Sequence, residues 1–260
     1  MKRKISILVL CSLLLIMTFG TVRAGNPDYT FIERPCAVVC TVDGEWTTDD
    51  EWTDVEMHDM TGTATGQFGY VVQDFSIMGL EWVVEIFTDD TDDEEDYWQI
   101  CFDDSNSGGS APDSGDFMIE IVGHTTLTVY QGDGSGWSEV PGAASEVTWS
   151  DSIDSSPLNS EPHWILEVVE SSKIADTIQI PNAPPTGMRV AAYDASTDTI
   201  AAWAPDSSED DPDSWGLIDG FDMSPIPEGL NLAVMVFLSS VTLVVGSHYL
   251  KKRSKKREIV

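Results

Sequence analysis

Short apolar runs alternate with polar, turn-forming segments over most of the chain, from about residue 42 to residue 220. The runs have the length of β-strands and are rich in β-branched and aromatic residues. They predict strands at 42–46, 66–74, 79–87, 97–102, 117–122, 125–131, 147–149, 163–169, 187–193 and 199–203, and one helical turn at 171–177. About ten short strands without a long amphipathic helix predict an all-β fold, an antiparallel β-sandwich of jelly-roll-like form.

Two longer apolar segments lie near the ends of the chain. Residues 1–24 combine a basic start, an apolar centre and a small residue, Ala24, before Gly25, which is the layout of a cleaved secretory signal peptide. An uncleaved N-terminal anchor is the alternative. Residues 229–250 contain no Asp, Glu, Lys or Arg. A helix of that length spans roughly 33 Å, enough to cross a bilayer core, so we predict a single C-terminal transmembrane helix.

A basic block follows the second apolar segment. Six of the seven residues at 251–257 are Lys or Arg, and such residues next to a membrane span mark its cytoplasmic side. The pattern predicts a single-pass protein of the cell membrane with an extracellular N-terminal domain; a buried helix of a soluble protein is the alternative. The predicted order is a signal peptide (1–24), a lead-in segment (25–41), the β-sandwich (42–220), a stalk (221–228), the transmembrane helix (229–250) and a basic cytoplasmic tail (251–260).

The predicted extracellular part is strongly acidic. Of the 45 Asp and Glu residues, all but Glu258 lie in this part, where only Arg34, Lys173 and Arg189 oppose them. Such a surface is a poor partner for nucleic acid and for anionic lipid, whereas cations, neutral sugars and basic proteins remain compatible with it. Adaptation to high external salt is a further explanation of the same composition.

Two loops between the central runs are crowded with carboxylates. The loop at 88–96 contains no basic residue, and the loop at 103–116 mixes aspartate with Ser, Asn, Gly and Pro. Calcium binds six to eight oxygens from carboxylates, carbonyls and water, so the loops predict a calcium site. The alternative is a solvated acidic surface with loosely held counterions. The predicted ligands are Asp89, Asp90, Asp92, Asp93, Asp103, Asp104 and Asp116, with Asp43, Asp49 and Asp50 as a second candidate set.

All nine tryptophans lie in the predicted extracellular domain. An exposed indole can stack on the flat face of a sugar while polar neighbours bind the hydroxyls. Trp137, in a loop rich in Gly and Ser, and Trp203, at a strand end, are the candidate exposed, ligand-binding residues. Trp82, Trp98 and Trp164 fall within apolar runs and are predicted to pack in the core.

Catalysis is not indicated by any motif in the sequence. The Gly-x-Ser-x-Gly, His-Glu-x-x-His and phosphate-loop patterns are absent. Carboxylates are so numerous that no acid–base pair stands out. The odd set Cys36, Cys40 and Cys101 allows at most one internal disulfide, and its spacing does not favour zinc. The sequence therefore predicts a protein that is not an enzyme.

Several motifs resemble, in their order, those of family 9-like carbohydrate-binding modules in the wider DOMON-like group. The motifs are DGEW at 43–46, DEW at 50–52, DYWQICFDD at 96–104, HWILEV at 163–168, RVAAYD at 189–194 and WAP at 203–205. With its flanking segments the chain resembles an archaeal membrane-anchored cell-surface protein of this type. The resemblance implies a β-sandwich, calcium in a structural loop and, in some members, a sugar-binding face. The very high content of acidic residues in this chain differs from the pattern of the family.

These observations together predict a non-catalytic cell-surface protein that displays a carbohydrate-binding β-sandwich, with bound calcium, on a single-pass anchor. Its expected partner is a glycan or a polysaccharide of the cell envelope. The alternative is a structural or protein-interaction module of the envelope that does not bind sugar.

Overall fold

The computed structural model describes residues 25–33, 41–46, 51–52, 55–72, 80–170 and 185–221. By its internal contacts the chain separates into two compact units, Met1–Asp222 and Met223–Val260, and every described residue lies in the first. In this part the secondary structure consists of strands and two short 3-10 turns, which confirms the predicted all-β class.

The strands, in chain order, are β1 (Thr30–Glu33), β2 (Met57–Gly62), β3 (Thr65–Val72), β4 (Leu80–Ile86), β5 (Tyr97–Asp103), β6 (Asp116–Val122), β7 (Thr126–Gly132), β8 (Trp137–Glu139), β9 (Val147–Asp154), β10 (His163–Glu170), β11 (Thr186–Asp194), β12 (Thr199–Trp203) and β13 (Gly216–Phe221). The 3-10 turns are Ala143–Glu146 and Pro212–Ser214.

The described strands form one hydrogen-bonded sheet that folds over on itself. The order is β8-β7-β6-β5-β11-β12-β2-β3-β4-β10-β9, and β13 joins β11 to β1. The pairs along this path are antiparallel, whereas β1 runs parallel to β13. Four strands separate β4 from β5 in this order, yet the ring centroids of Trp82 on β4 and Phe102 on β5 lie 5.9 Å apart. The two halves of the sheet therefore face each other as the layers of a sandwich.

The main core lies between these two layers. Side chains alternate between the faces of a strand, so Trp98, Ile100 and Phe102 of β5 all point inward and are fully buried. Trp82 and Trp164, from the opposite layer, are buried in the same core, as their apolar runs predicted.

A smaller apolar cluster covers the outer face of the opposite layer. Trp46 and Trp52, from the segment before β2, pack there on Val71, Val83 and Ile165. Both faces of β4 are consequently covered, and all seven of its residues are buried. This explains why Val83, between Glu81 and Glu85 on the outer face, is apolar.

Most predicted strands are present, and the differences are local. The strand predicted at 42–46 is wrong, because these residues form a loop in which Gly44 has a φ of 82°. A Cβ on Gly44 would lie 2.7 Å from the backbone nitrogen of Asp151 on β9, so the loop passes too close for any larger residue. Conversely, β2, β8 and β13 were not predicted.

Several predicted features lie outside the described residues: the signal peptide, residues 222–260 with the membrane helix and tail, the helical turn at 171–177, and Cys36 and Cys40. Within the described part, no helix is long and apolar enough to cross a membrane. Cys101, which is described, is a buried free thiol.

Candidate functional site

The outer face of β5 and its neighbours carries polar and aromatic side chains. Gln99 pairs with Glu120 on β6 and lies beside Ala191 on β11. Because neighbours in register point to the same face, their side chains form one surface on the side away from the core. We call this surface the polar face; its members are Tyr97, Gln99, Glu120, Thr128, Tyr130, Arg189 and Tyr193, with Glu209 above them.

Gln99 is the centre of the polar face and is only 3% exposed. Arg189 Nη1 donates a hydrogen bond of 3.0 Å to Gln99 Oε1. Gln99 Nε2 in turn donates to Glu120 Oε1 and to Glu209 Oε2, both at 2.7 Å. Since Arg189 can only donate, it fixes the orientation of the amide, and the amide fixes the positions of the two carboxylates.

Tyrosines border this network. The Tyr130 hydroxyl donates to Glu120 Oε2 at 3.3 Å. On the other side, the rings of Tyr97 and Tyr193 stack with centroids 5.2 Å apart and an interplanar angle of 18°. All three rings are partly exposed, as is Glu120. The face thus offers fixed hydrogen-bond acceptors between partly exposed aromatic rings.

The segment at 204–215 closes one side of the polar face. The carbonyl of Ser207 accepts a hydrogen bond of 3.3 Å from Arg189 Nε, and Trp215 packs over Cys101 and Met118. Burial raises the pKa of the Cys101 thiol to about 12, so this cysteine is neutral and sealed from solvent. It cannot act as a nucleophile in this position.

The two tryptophans predicted to bind ligand lie in different surroundings. Trp137, on β8, is partly exposed and stacks on Trp215, with ring centroids 6.4 Å apart and an interplanar angle of 3°. Trp203 is only 5% exposed, so its expected exposure is wrong. It pairs with Val190, whose side chain points into the core, and its ring lies 5.4 Å from that of Phe31.

Three buried aspartates meet where β5 begins. Asp89 follows β4, Asp96 precedes β5 and Asp194 ends β11. One carboxylate oxygen from each lies within 4.8 Å of the others, and all three residues are fully buried. We call this group the three-aspartate cluster.

Five of the six carboxylate oxygens of the cluster accept a hydrogen bond. Asp96 and Asp194 each accept a backbone hydrogen bond through Oδ1, from Ala195 at 2.8 Å and from Thr197 at 3.1 Å. Asp89 Oδ2 is buried without a partner. Burial, and then the charges of Asp96 and Asp194, raise the pKa of Asp89 to about 6. A bound cation would satisfy this oxygen and offset the repulsion.

His124 connects the three-aspartate cluster to β9 and β10 of the opposite layer. Its Nε2 lies 3.2 Å from Asp96 Oδ2, and its Nδ1 lies 2.5 Å from Asp151 Oδ2, which also accepts from Trp164 Nε1 at 2.9 Å. Burial opposes the charged imidazole, but hydrogen bonds to Asp151 and Asp96 outweigh it and raise the pKa of His124 to about 9. His124 therefore supplies one positive charge at the edge of the cluster.

The structure divides the predicted calcium ligands between the two ends of β5. Asp90 and Asp92 are exposed and Asp93 is half-buried, all near Asp89 in the loop before β5. Seven residues of strand, at about 3.3 Å each, put the far end of β5 roughly 23 Å away. The remaining predicted ligands lie at that end: Asp103, Asp104 and Asp116. The seven residues therefore do not form a single site.

Asp103 and Asp116 instead face each other across β5 and β6, and both are fully buried. Burial, ahead of the nearby charges, raises the pKa of Asp116 to about 7. Asp103 accepts backbone hydrogen bonds from Ser107 at 2.9 Å and from Gly108 at 2.7 Å, which order the loop that follows.

Of the second candidate set, Asp43 lies beside two carboxylates that were not predicted, Glu51 and Glu167, with one oxygen from each within 4.8 Å of the others. Glu167 accepts hydrogen bonds of 2.9 Å from the backbone of Asp43, the backbone of Gly44 and Trp52 Nε1. Because both of its oxygens are already bonded, Glu167 ties the segment before β2 to β10. Asp49 and Asp50 lie outside the described residues.

Comparison with known proteins gives a likeness of fold. No protein-family model matches the chain, and no curated protein matches it. Among solved structures it is similar to a carbohydrate-binding module of family 9 from Caldicellulosiruptor kristjanssonii. The complex of that module with cellotriose gives a TM-score of 0.51 at 15% identity, covering 76% of this chain and 98% of that one. The complex with glucose gives 0.50 at 14% identity, covering 76% and 99%. The chain therefore has a fold like that of family 9 carbohydrate-binding modules.

Proposed function

We propose that the described domain is a non-catalytic carbohydrate-binding module and that its ligand lies on the polar face. The observation that carries the proposal is the buried Gln99, which holds Glu120 and Glu209 from two different elements at 2.7 Å each. The similar module from Caldicellulosiruptor kristjanssonii was solved with cellotriose and with glucose, which supports a sugar as the ligand class.

The proposed site matches what a sugar requires. Sugar hydroxyls donate hydrogen bonds to carboxylates, and the carboxylates here are already ordered, so little conformational entropy is lost on binding. The rings of Tyr97 and Tyr193 offer apolar area at the border of the site. Trp137 is a further border residue, because it is partly exposed and packs, like Tyr130, against the cluster of Cys101, Met118 and Trp215.

The first prediction concerns binding itself. Glu120→Ala should weaken the binding of cellotriose about 10- to 100-fold, because a central, preorganised acceptor is lost. Calorimetry on the full-length chain in a detergent without sugar groups measures this. Glu161→Ala, at an exposed carboxylate before β10, is the matched control and should bind as the wild type does. If the wild-type chain binds neither glucose, cellotriose nor any other glycan on an array, the envelope-interaction alternative replaces this proposal.

We also propose that the three-aspartate cluster holds one calcium ion. Asp89, Asp96 and Asp194 would be its protein ligands, and the unpartnered Asp89 Oδ2 supports this assignment. The ion would neutralise buried carboxylates and connect the loop before β5 to the turn after β11. Its role would be structural.

The second prediction tests the ion by thermal unfolding. Calcium at a hundredfold excess over its Kd should stabilise the wild-type chain by about 2.7 kcal/mol relative to sodium chloride at equal ionic strength. Asp89→Asn should abolish this calcium increment while leaving stability in chelator equal to or above that of the wild type, since it relieves repulsion. The exposed neighbour variant Asp90→Asn should keep the increment. Equal melting temperatures of the wild type in calcium and in matched sodium chloride would remove the calcium site.

Display at the cell surface completes the proposal. The basic start and apolar centre of 1–24, and the apolar segment at 229–250 followed by a basic tail, support secretion and a single-pass anchor.

A further inference from the structure

We propose that the polar face selects amino sugars, which carry a protonated amine, over neutral and anionic sugars, and that Glu120 and Glu209 determine this specificity. The inference rests on the proposed function, because it assumes that the ligand on this face is a sugar. It adds the chemical class of that sugar, which follows from the charges that the face presents.

The two carboxylates converge on one point. Glu120, on β6, and Glu209, in the segment over the sheet, each place an oxygen 2.7 Å from the same nitrogen, Gln99 Nε2. A single donor group of a ligand beside this nitrogen can therefore reach both carboxylates. An ammonium group is suited to this position because it has three donors and a positive charge.

The positive charge of the network is turned away from solvent. Arg189 is the only lysine or arginine among the described residues, and it is only 3% exposed. Its guanidinium donates to Gln99 Oε1 and to the carbonyl of Ser207. Glu120 and Glu209 are partly exposed, and Glu139, which pairs with Tyr130 from β8, is exposed. A ligand therefore meets carboxylates, while the one guanidinium lies beneath them.

Three sugar types meet this surface differently. A neutral sugar can donate hydroxyl hydrogen bonds to Glu120 and Glu209. An amino sugar makes the same contacts with an ammonium group, so that the donor as well as the acceptor is charged and an ion pair is added to each hydrogen bond. A uronic acid brings a third carboxylate against the two, and such a like-charge contact is a means of excluding wrong ligands.

The test uses monosaccharides, because a polymer of amino sugars is a polycation and would bind the acidic chain through its overall charge. Calorimetry on the full-length chain, in a detergent without sugar groups and near pH 6, compares glucosamine, glucose and glucuronic acid. We expect glucosamine to bind about tenfold more tightly than glucose, because its ammonium adds an ion pair with the carboxylates, and glucuronic acid not to bind. At a pH where the amine of glucosamine is neutral, the preference should disappear.

Variants assign the effect to the two carboxylates. Glu120→Gln and Glu209→Gln are isosteric, and each should reduce the preference for glucosamine to about threefold or less while glucose still binds. Glu161→Gln changes the overall charge equally at a distant exposed site and should keep the full preference. Equal binding of glucosamine and glucose by the wild type overturns this inference while the proposed function stands. An equal loss of preference in Glu161→Gln assigns the effect to the general field of the domain and also overturns it. Failure of every sugar to bind overturns both.

Discussion

His163 is a single residue that links the strands β3, β4 and β10 of one layer. It is fully buried on β10, with Nδ1 2.8 Å from the carbonyl of Glu161 and Nε2 3.0 Å from Glu85 Oε1. Gln67 on β3 donates to the other oxygen of Glu85. The network thus joins three neighbouring strands through one buried ion pair. Burial works against the charged imidazole, but the hydrogen bond to Glu85 outweighs it and raises the pKa of His163.

His163→Ala should therefore destabilise the domain by about 3–5 kcal/mol, because it leaves the buried carboxylate of Glu85 without its cation. The raised pKa belongs to the folded state, so the pair's contribution is fully present below the ordinary histidine pKa of 6.5 and is lost as pH rises through the folded value. We expect the destabilisation to be larger near pH 6 than near pH 9 in urea unfolding. Glu161→Ala, which keeps the backbone carbonyl, is the control. An equal loss at both pH values would mean that packing, and not charge, is what His163 contributes.

Residues of the candidate sites were only partly predictable. Asp89 was recognisable because it lies in a loop of carboxylates without a basic residue. Asp194 was not, because it joins Asp89 only through the pairing of β5 with β11, far apart in sequence. Gln99 and Glu209 carry no local signal either, since an amide in a strand and a glutamate in an acidic loop are common, and only folding places them together.

At the scale of elements, strands with their own apolar run were predictable and strands that depend on neighbours were not. The runs that became β3, β4 and β10 to β12, and the β6–β7 hairpin around Gly123 and His124, are bounded by turn-forming residues. In contrast, β2 has one buried residue, Met60, among six. It is extended because it lies between β3 and β12 in the sheet, and a local pattern does not contain that pairing.

The predicted exposure of Trp203 was wrong for a related reason, which concerns residues at strand ends. Its place at a strand end suggested exposure. In the sandwich, however, Trp203 belongs to the main core, and its indole lies against rings from β3 and β1, with Phe68 at 5.6 Å and Phe31 at 5.4 Å. Whether a residue at a strand end is exposed therefore depends on the elements that pack against it, and these are determined by the tertiary fold.

At the scale of the whole molecule, the proposed anchor predicts an orientation. Protease added to intact cells should remove an epitope placed before β1 and leave an epitope on the tail at 251–260 protected, because the basic block holds that end inside. Immunoblots with and without permeabilisation measure this. Loss of the tail epitope from intact cells would contradict the single-pass arrangement, and protection of both epitopes would contradict display at the surface.

The position of β13 has a mechanical consequence. β13 is the last strand of the domain, and it is hydrogen-bonded on one side to β11, in the opposite direction, and on the other to β1, in the same direction. The chain leaves the domain at Phe221, the end of β13, so tension on a tether attached there acts on this strand first. A pull along the strand loads its hydrogen bonds to both neighbours together, in shear, whereas a pull across it would open them one after another. If the proposed stem pulls along β13 while the ligand holds the domain, the domain should therefore unfold only when a whole row of hydrogen bonds breaks at once.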